Sequence, residues 1–178
     1  MSKSPDHIIN TNRAPLLNRM IGERWGASYK ILTPSMRQRG GSLGVNWICM
    51  PPGRASLPFH SHSREDEAFY VLSGRGVLRY GDELREIGPG DCISCPAGTK
   101  TAHQLANPFD DDLIYLAIGT HDPHEVCTYP DSGKVMVRSL QTVGKLEATD
   151  YMHDEAKTPR IFELFKALAD TGEADTPS

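Results

Sequence analysis

Between Ser42 and Thr120 the chain is cut into short runs of mixed apolar and polar residues: Ser42–Met50, Ala68–Leu72, Gly76–Tyr80, Glu83–Ile87, Cys92–Cys95, Thr101–Ala106 and Asp112–Gly119. Each run has the length of a strand, and a period of two places every second side chain on one face. Turn residues separate them. Gly81-Asp82, between Tyr80 and Glu83, has the composition of a tight hairpin, and Gly88-Pro89-Gly90-Asp91 is a second loop. Many short strands at near-regular spacing predict an all-β barrel or sandwich over residues 42–120.

The flanks read differently. Residues 1–41 are polar and punctuated by Pro5, Pro15, Pro34 and the pair Gly40-Gly41, which predicts an N-terminal arm, either irregular or adding an edge strand. Residues 121–178 form a C-terminal extension. In it Lys134-Val135-Met136-Val137-Arg138 alternates as a further strand after the turn Tyr129-Pro130-Asp131-Ser132-Gly133. Residues 159–170 read as a helix, with Thr158 as N-cap and Pro159 as first residue. Ile161, Phe162, Leu164, Phe165 and Leu168 give that helix an apolar stripe, a docking face for the barrel or for a second subunit, so a homodimer is expected. The small, polar tail 171–178 predicts disorder.

Composition narrows the classes. A chain of 178 residues with 38% hydrophobic content suits one domain with a real core. No stretch approaches the roughly 20 apolar residues of a membrane-spanning helix. The first 30 residues carry charges and prolines without an apolar segment, so no secretory signal is read and the cytoplasm is the expected location. A formal charge of -4 with no basic stripe argues against nucleic acid and for a small-molecule partner. Cys92-Ile93-Ser94-Cys95 is a C-x-x-C, but residues three apart on a strand face opposite ways, and no second pair completes a four-sulfur site. Cys49, Cys92, Cys95 and Cys127 are therefore expected to be reduced thiols, mostly buried, with a disulfide as the alternative.

The chemistry gathers around His60, His62, Glu67 and His103. On a strand, His60-Ser61-His62 aims two imidazoles the same way while Ser61 faces away. Glu67 follows the polar loop Ser63–Asp66 and opens the next apolar run, so a carboxylate arrives from a neighbouring strand. His103 follows the turn sequence Pro96-Ala97-Gly98 and opens a third. Three imidazoles and one carboxylate suit one divalent ion such as Zn, Mn, Fe or Ni, and four protein ligands leave room for water or substrate on a five- or six-coordinate ion.

In these motifs the chain resembles the cupin superfamily. Gly53, His60, His62, Glu67 and Gly74 match its first motif, with the first spacer one residue longer than usual. Gly90, Pro96, Gly98, His103 and Asn107 match the second. The family usually places the second-motif histidine where Thr101 stands, and His103 lies two residues further along the same strand face. The resemblance implies a single jelly-roll β-barrel and is strongest to small one-barrel bacterial cupins of the conserved cupin 2 type. Those proteins carry a Tyr-Pro-Asp-Ser-Gly-Lys segment after the barrel, here Tyr129–Lys134, and many bear the inferred label of sugar-phosphate isomerase.

By alternation, Phe69, Val71, Thr101 and Leu105 join the ligands on the interior face. Polar groups for substrate are then sought near the barrel mouth: Lys100, Arg54, Gln104 and Tyr70, with Lys100 the first choice for an anion. His121 and His124 lie in a proline-containing loop and read as surface residues. The leading function is a metal-dependent enzyme on a small oxygenated metabolite, in its most specific form a sugar or sugar-phosphate isomerase. An Fe(II) dioxygenase is the second enzymatic reading, suggested by the apolar lining. A non-catalytic binder or sensor of a carbohydrate-like ligand is the alternative of a different class.

Overall fold

A computed structural model describes residues 7–170 of the chain. The chain divides into two compact units, Met1–Leu146 and Glu147–Ser178.

The first unit is built from strands β1 (Leu17–Ile21), β2 (Trp25–Ile31), β3 (Leu43–Met50), β4 (Arg54–Ala55), β5 (Ser61–His62), β6 (Glu67–Ser73), β7 (Gly76–Tyr80), β8 (Glu83–Ile87), β9 (Cys92–Cys95), β10 (His103–Asn107), β11 (Leu113–Thr120), β12 (Val126–Tyr129), β13 (Lys134–Val137) and β14 (Thr142–Lys145). A short helix, α1 (Pro34–Gln38), precedes β3, and a 3-10 turn at Arg138–Leu140 follows β13. A 10-stranded sheet runs β8-β7-β10-β4-β2-β3-β11-β6-β9, with β1 paired to β2. A 4-stranded sheet runs β14-β13-β12-β5. The larger sheet curls on itself, in keeping with the all-β barrel expected from the strand spacing and the jelly roll that the resemblance implies.

Alternation decides what the curled sheet encloses. Phe69 and Val71 on β6, Leu105 on β10, and Leu113 and Tyr115 on β11 are buried together with Met50, Leu78, Ile87 and Ile93. Burying one such side chain is worth about 1.5–3 kcal/mol, so this interior cluster is the main source of stability. The hairpin expected at Gly81-Asp82 joins β7 to β8 with Tyr80 opposite Glu83, and Gly81 takes a positive φ of 57°. Gly74 also has positive φ, and a Cβ there would lie 2.1 Å from the Asp112 carbonyl oxygen, so the turn between β6 and β7 requires glycine.

Residues 1–41, expected as an arm or an added edge strand, contribute both β1 and β2. Strand β2 lies within the sheet, antiparallel to β3 and parallel to β4, and β1 lies against β2 with Arg19 opposite Ala27. The strand expected at residues 134–138 is β13, bounded by the 3-10 turn.

The second unit contains helix α2 (Arg160–Asp170), near the expected span, and the Phe162 N–H bonds the Pro159 carbonyl at 3.0 Å in its first turn. The tail 171–178, expected to be disordered, lies outside the described residues. Among the described residues no helix is long and apolar enough to cross a membrane.

Candidate metal centre

His60 and His103 come from distant parts of the chain and are joined through their backbones. The His103 N–H donates to the His60 carbonyl at 2.8 Å, and the His60 N–H returns the bond at 3.2 Å. This two-way pair sets the imidazole centroids 4.6 Å apart. Two residues on from His60, His62 points the same way, while Ser61 points away and meets Thr128 Oγ1 at 2.7 Å. Glu67 opens β6 from the other side. Its Oε2 lies 2.8 Å from His103 Nε2, 3.3 Å from His62 Nε2 and 4.0 Å from His60 Nε2.

The four donor atoms all lie within 4.8 Å of one another. Two ligands each roughly 2.1 Å from a common ion lie about 3–4 Å apart, so the spacing fits a single cation without large movement. His62 Nε2 supplies a second test of fit: it is buried and has no hydrogen-bond partner. A buried ring nitrogen without a hydrogen-bond partner is costly, and coordination to a cation, once the ring has given up its extra proton, would satisfy it.

Outer groups aim the rings. His60 Nδ1 bonds the Pro58 carbonyl at 2.7 Å, which requires the proton on Nδ1 and leaves Nε2 free to ligate. His62 Nδ1 lies 3.3 Å from Glu125 Oε1 and 3.2 Å from Cys127 Sγ. Glu125 is wholly buried and accepts the Ser63 N–H at 2.8 Å and the Arg64 N–H at 2.9 Å. A carboxylate held this way fixes the tautomer of a ligating histidine and raises its basicity. Further out, buried Glu65 pairs with Arg138 through both carboxylate oxygens and accepts the Asp122 N–H at 2.6 Å.

The charges follow from these contacts. Burial, reinforced by the charges of His103 and His62, lowers the His60 pKa to about 4. Burial also opposes a charge on His62, but contacts with Cys127 and Glu67 outweigh it and raise that pKa to about 10. Burial would raise Glu67, yet the hydrogen bond from His103 and the neighbouring His62 hold its carboxyl far below the ordinary range.

A cavity of about 370 Å³ opens beside His60, Glu67 and His103, walled by Phe69, Leu105, Tyr115 and Ile48 and by the polar groups of Asn46 and Ser56. Gln104 lines it too, with its amide spent on the Leu57 carbonyl at 2.8 Å. The other polar residues singled out from sequence stand elsewhere. Lys100 is exposed in the loop before β10 at a positive φ of 61°. Arg54 donates to the Gly22 and Trp25 carbonyls at 3.1 and 2.8 Å. Tyr70 alternates with Phe69 and lies on the exposed face of β6.

Sequence reasoning did not pick out Glu125, Cys127, Glu65, Arg138 or Arg19. One signal was available, since Glu125, Cys127 and Tyr129 recur with period two along β12. What brings them to the centre is the pairing of Cys127 with His62 across β12 and β5. His121, read as a surface residue, is exposed, but its Nδ1 reaches Glu65 Oε1 at 3.3 Å. All four cysteines are free thiols: Cys95 and Cys127 are buried, Cys49 is half-buried and Cys92 is exposed.

Residues 46–119 match the family model described as Cupin domain. A sugar phosphate isomerase from a cupin superfamily of Silicibacter pomeroyi superposes with a TM-score of 0.67 at 25% identity, covering 82% of this chain and 97% of that one. An oxalate-binding protein of Thermotoga maritima is 33% identical over 39% of this chain and 54% of its own length. A dimethylsulfoniopropionate lyase of Ruegeria pomeroyi is 32% identical over 51% of this chain and 44% of its own length. The chain thus spans about half the length of these two curated relatives.

Proposed function

The chain belongs to the cupin superfamily through residues 46–119, and from that premise we propose that it is a metal-dependent enzyme acting on a small oxygenated metabolite, most specifically an isomerase of a sugar or sugar phosphate. The observation that carries this reading is the convergence of His60, His62, Glu67 and His103 on one point beside a cavity of about 370 Å³, at the lower end of small-ligand pocket sizes. The isomerase form draws support from the Silicibacter pomeroyi structure named above.

His60, His62, Glu67 and His103 would hold the ion, with zinc, manganese, iron or nickel as candidates. A divalent ion bound there polarises a carbonyl or orients a diol. The protein's own groups do the rest. Glu67 stays ionised, the Pro58 carbonyl and Glu125 fix the His60 and His62 rings, and Phe69, Ile48 and Leu105 keep water from one wall. Burial pushes the Tyr115 phenol up, so at neutral pH Tyr115 keeps its proton and can donate a hydrogen bond to a substrate oxygen.

A second reading has its own observation. Among the described residues walling the cavity, no carboxylate or imidazole stands outside the four ligands to serve as a general base. That favours a non-catalytic binder of a small oxygenated ligand, and the oxalate-binding relative of Thermotoga maritima is consistent with it.

Metal analysis of the purified protein beside His62→Ala is the deciding test, followed by NMR of aldose and ketose phosphates with the loaded protein. One equivalent of zinc, manganese or nickel, lost in the variant, with interconversion of one sugar phosphate, is the expected result. Iron with substrate-dependent oxygen uptake would replace the isomerase by an oxygenase. Bound metal with ligand-induced stabilisation and no conversion would make the binder the function, and no metal after reconstitution would remove the metalloenzyme.

A further inference from the structure

Arg19 stands on β1, in the N-terminal region, yet it lines the cavity beside the metal ligands. The register explains this. Arg19 pairs with Ala27, a buried residue of the interior cluster, so alternation turns the Arg19 side chain toward the barrel mouth. The close approach of β1 depends on Gly26, whose φ is 100° and whose missing Cβ would sit 1.8 Å from the Arg19 carbonyl oxygen.

A second, larger hollow of about 590 Å³ adjoins the first and shares Arg19, Ser56, Leu57 and His60 with it. Its far wall is the turn Tyr129–Gly133 with Lys134, the segment noted in the sequence and unused by the metal site. That turn is held by the Ser132 and Gly133 N–H groups, both bonded to the Tyr129 carbonyl at 3.1 and 2.9 Å. The Tyr129 ring stacks at 6.0 Å on ligand His60, and Lys134 Nζ lies 5.6 Å from the Tyr129 centroid.

The charge balance of this hollow is positive. Its one carboxylate, Asp131, is already bonded by Arg79 at 2.7 Å. Neither Arg19 nor Lys134 makes a hydrogen bond or ion pair with a described residue. Two cations with no carboxylate partner among the described residues therefore face a space that ends at His60, with hydroxyls of Ser56 and Ser132 between. Arginine's planar fork matches a carboxylate or phosphate, which makes it the stronger of the two anchors.

We propose that Arg19, assisted by Lys134, is the anion anchor of this site: it holds the phosphate or carboxylate of a substrate whose hydroxyl or carbonyl oxygens reach His60, His62, Glu67 and His103. The chain thereby selects anionic over neutral oxygenated compounds. This rests on the metal-site reading above and adds to it the substrate's charge and the residues that read it.

The test uses three compounds that differ in one group: glycerol 3-phosphate, glycerate and glycerol. Calorimetric titration of the purified protein at fixed ionic strength is compared with Arg19→Gln, Lys134→Gln and Arg19→Lys, with metal content measured on every sample. The wild type is expected to bind at least one anion and not glycerol. Arg19→Gln should weaken that binding about tenfold or more, Lys134→Gln should weaken it less, and Arg19→Lys should keep part of it. A preference for glycerol 3-phosphate identifies a phosphate, and a preference for glycerate a carboxylate. Equal affinity in wild type and Arg19→Gln, with metal retained in both, overturns the anchor and leaves the metal site standing. Protein that stays metal-free after reconstitution, yet loses anion binding on Arg19→Gln, overturns the metalloenzyme and leaves the anchor. Because Arg19 and Lys134 are both exposed, Lys134→Gln and Arg19→Lys keep the proposal testable if Arg19→Gln fails to fold.

Discussion

Glu125 Oε1 lies 3.3 Å from His62 Nδ1, and the carboxylate is wholly buried and accepts the backbone N–H groups of Ser63 and Arg64, with the Ser63 hydroxyl and the Cys127 thiol also at Oε1. Its position ties the Ser63–Arg64 backbone to the orientation of the His62 ring. Glu125→Gln should therefore fold and still weaken metal binding about 10- to 100-fold, as loss of an outer carboxylate does elsewhere. Chelator competition measures this, and unchanged metal affinity would show that Glu125 serves the backbone alone. Glu125→Ala should in addition lose about 1–3 kcal/mol of stability, because it removes the acceptor of two part-buried backbone N–H groups.

Metal entry should expel a proton. In the metal-free protein His62 keeps its proton to about pH 10, and coordination requires it to leave. Calorimetric titration of the metal near pH 8, in buffers of differing ionisation enthalpy, should report about one proton released per ion, and affinity should fall as pH is lowered. The same raised pKa has a sign for folding. An unfolded His62 titrates at 6.5, so its contribution to metal-free stability is complete below that value and is lost as pH rises toward about 10. Apparent enthalpies that do not vary with the buffer would show that no proton leaves and that His62 is already neutral.

The four cysteines should react unequally. Cys92 and Cys95 alternate to opposite faces of β9, the first exposed and the second buried. Burial and the charge of Glu67 push the Cys95 thiol up to about 12, and burial with Asp112 pushes Cys49 up to about 11, which keeps both as unreactive thiols at neutral pH. Alkylation of native protein followed by mass spectrometry should modify Cys92 first, with Cys95 and Cys127 protected until denaturant is added. Early modification of Cys95 would mean that β9 detaches from β6.

Gly74 should not tolerate a side chain. Its φ of 74° and the 2.1 Å approach of a Cβ to the Asp112 carbonyl together make Gly74→Ala destabilising, by about 1–3 kcal/mol for the backbone strain alone. Thermal unfolding checks this. A variant as stable as the wild type would show that the β6–β7 turn can shift.

Much of the barrel and of the candidate site was legible because both depend on a local rule. Period-two alternation marked the strands around Phe69, Val71 and Leu105, set His60 and His62 on one side with Ser61 on the other, and separated Cys92 from Cys95. Glycine at Gly74 and Gly81 marked turns for an equally local reason, the positive φ that other residues resist. What the chain could not display was which strands would meet. The backbone pairing of His60 with His103, the register of Cys127 on His62 that carries Glu125 to the ligand, and the entry of β2 into the sheet with Arg19 on its partner strand are all contacts between distant segments. Lys100 adjoins His103 in sequence and stands outside the lining of the cavity, whereas Arg19, distant in sequence, lines the cavity beside His60, Glu67 and His103. Alternation determines which way each side chain points from its own strand, and the packing of the whole sheet decides what stands opposite it.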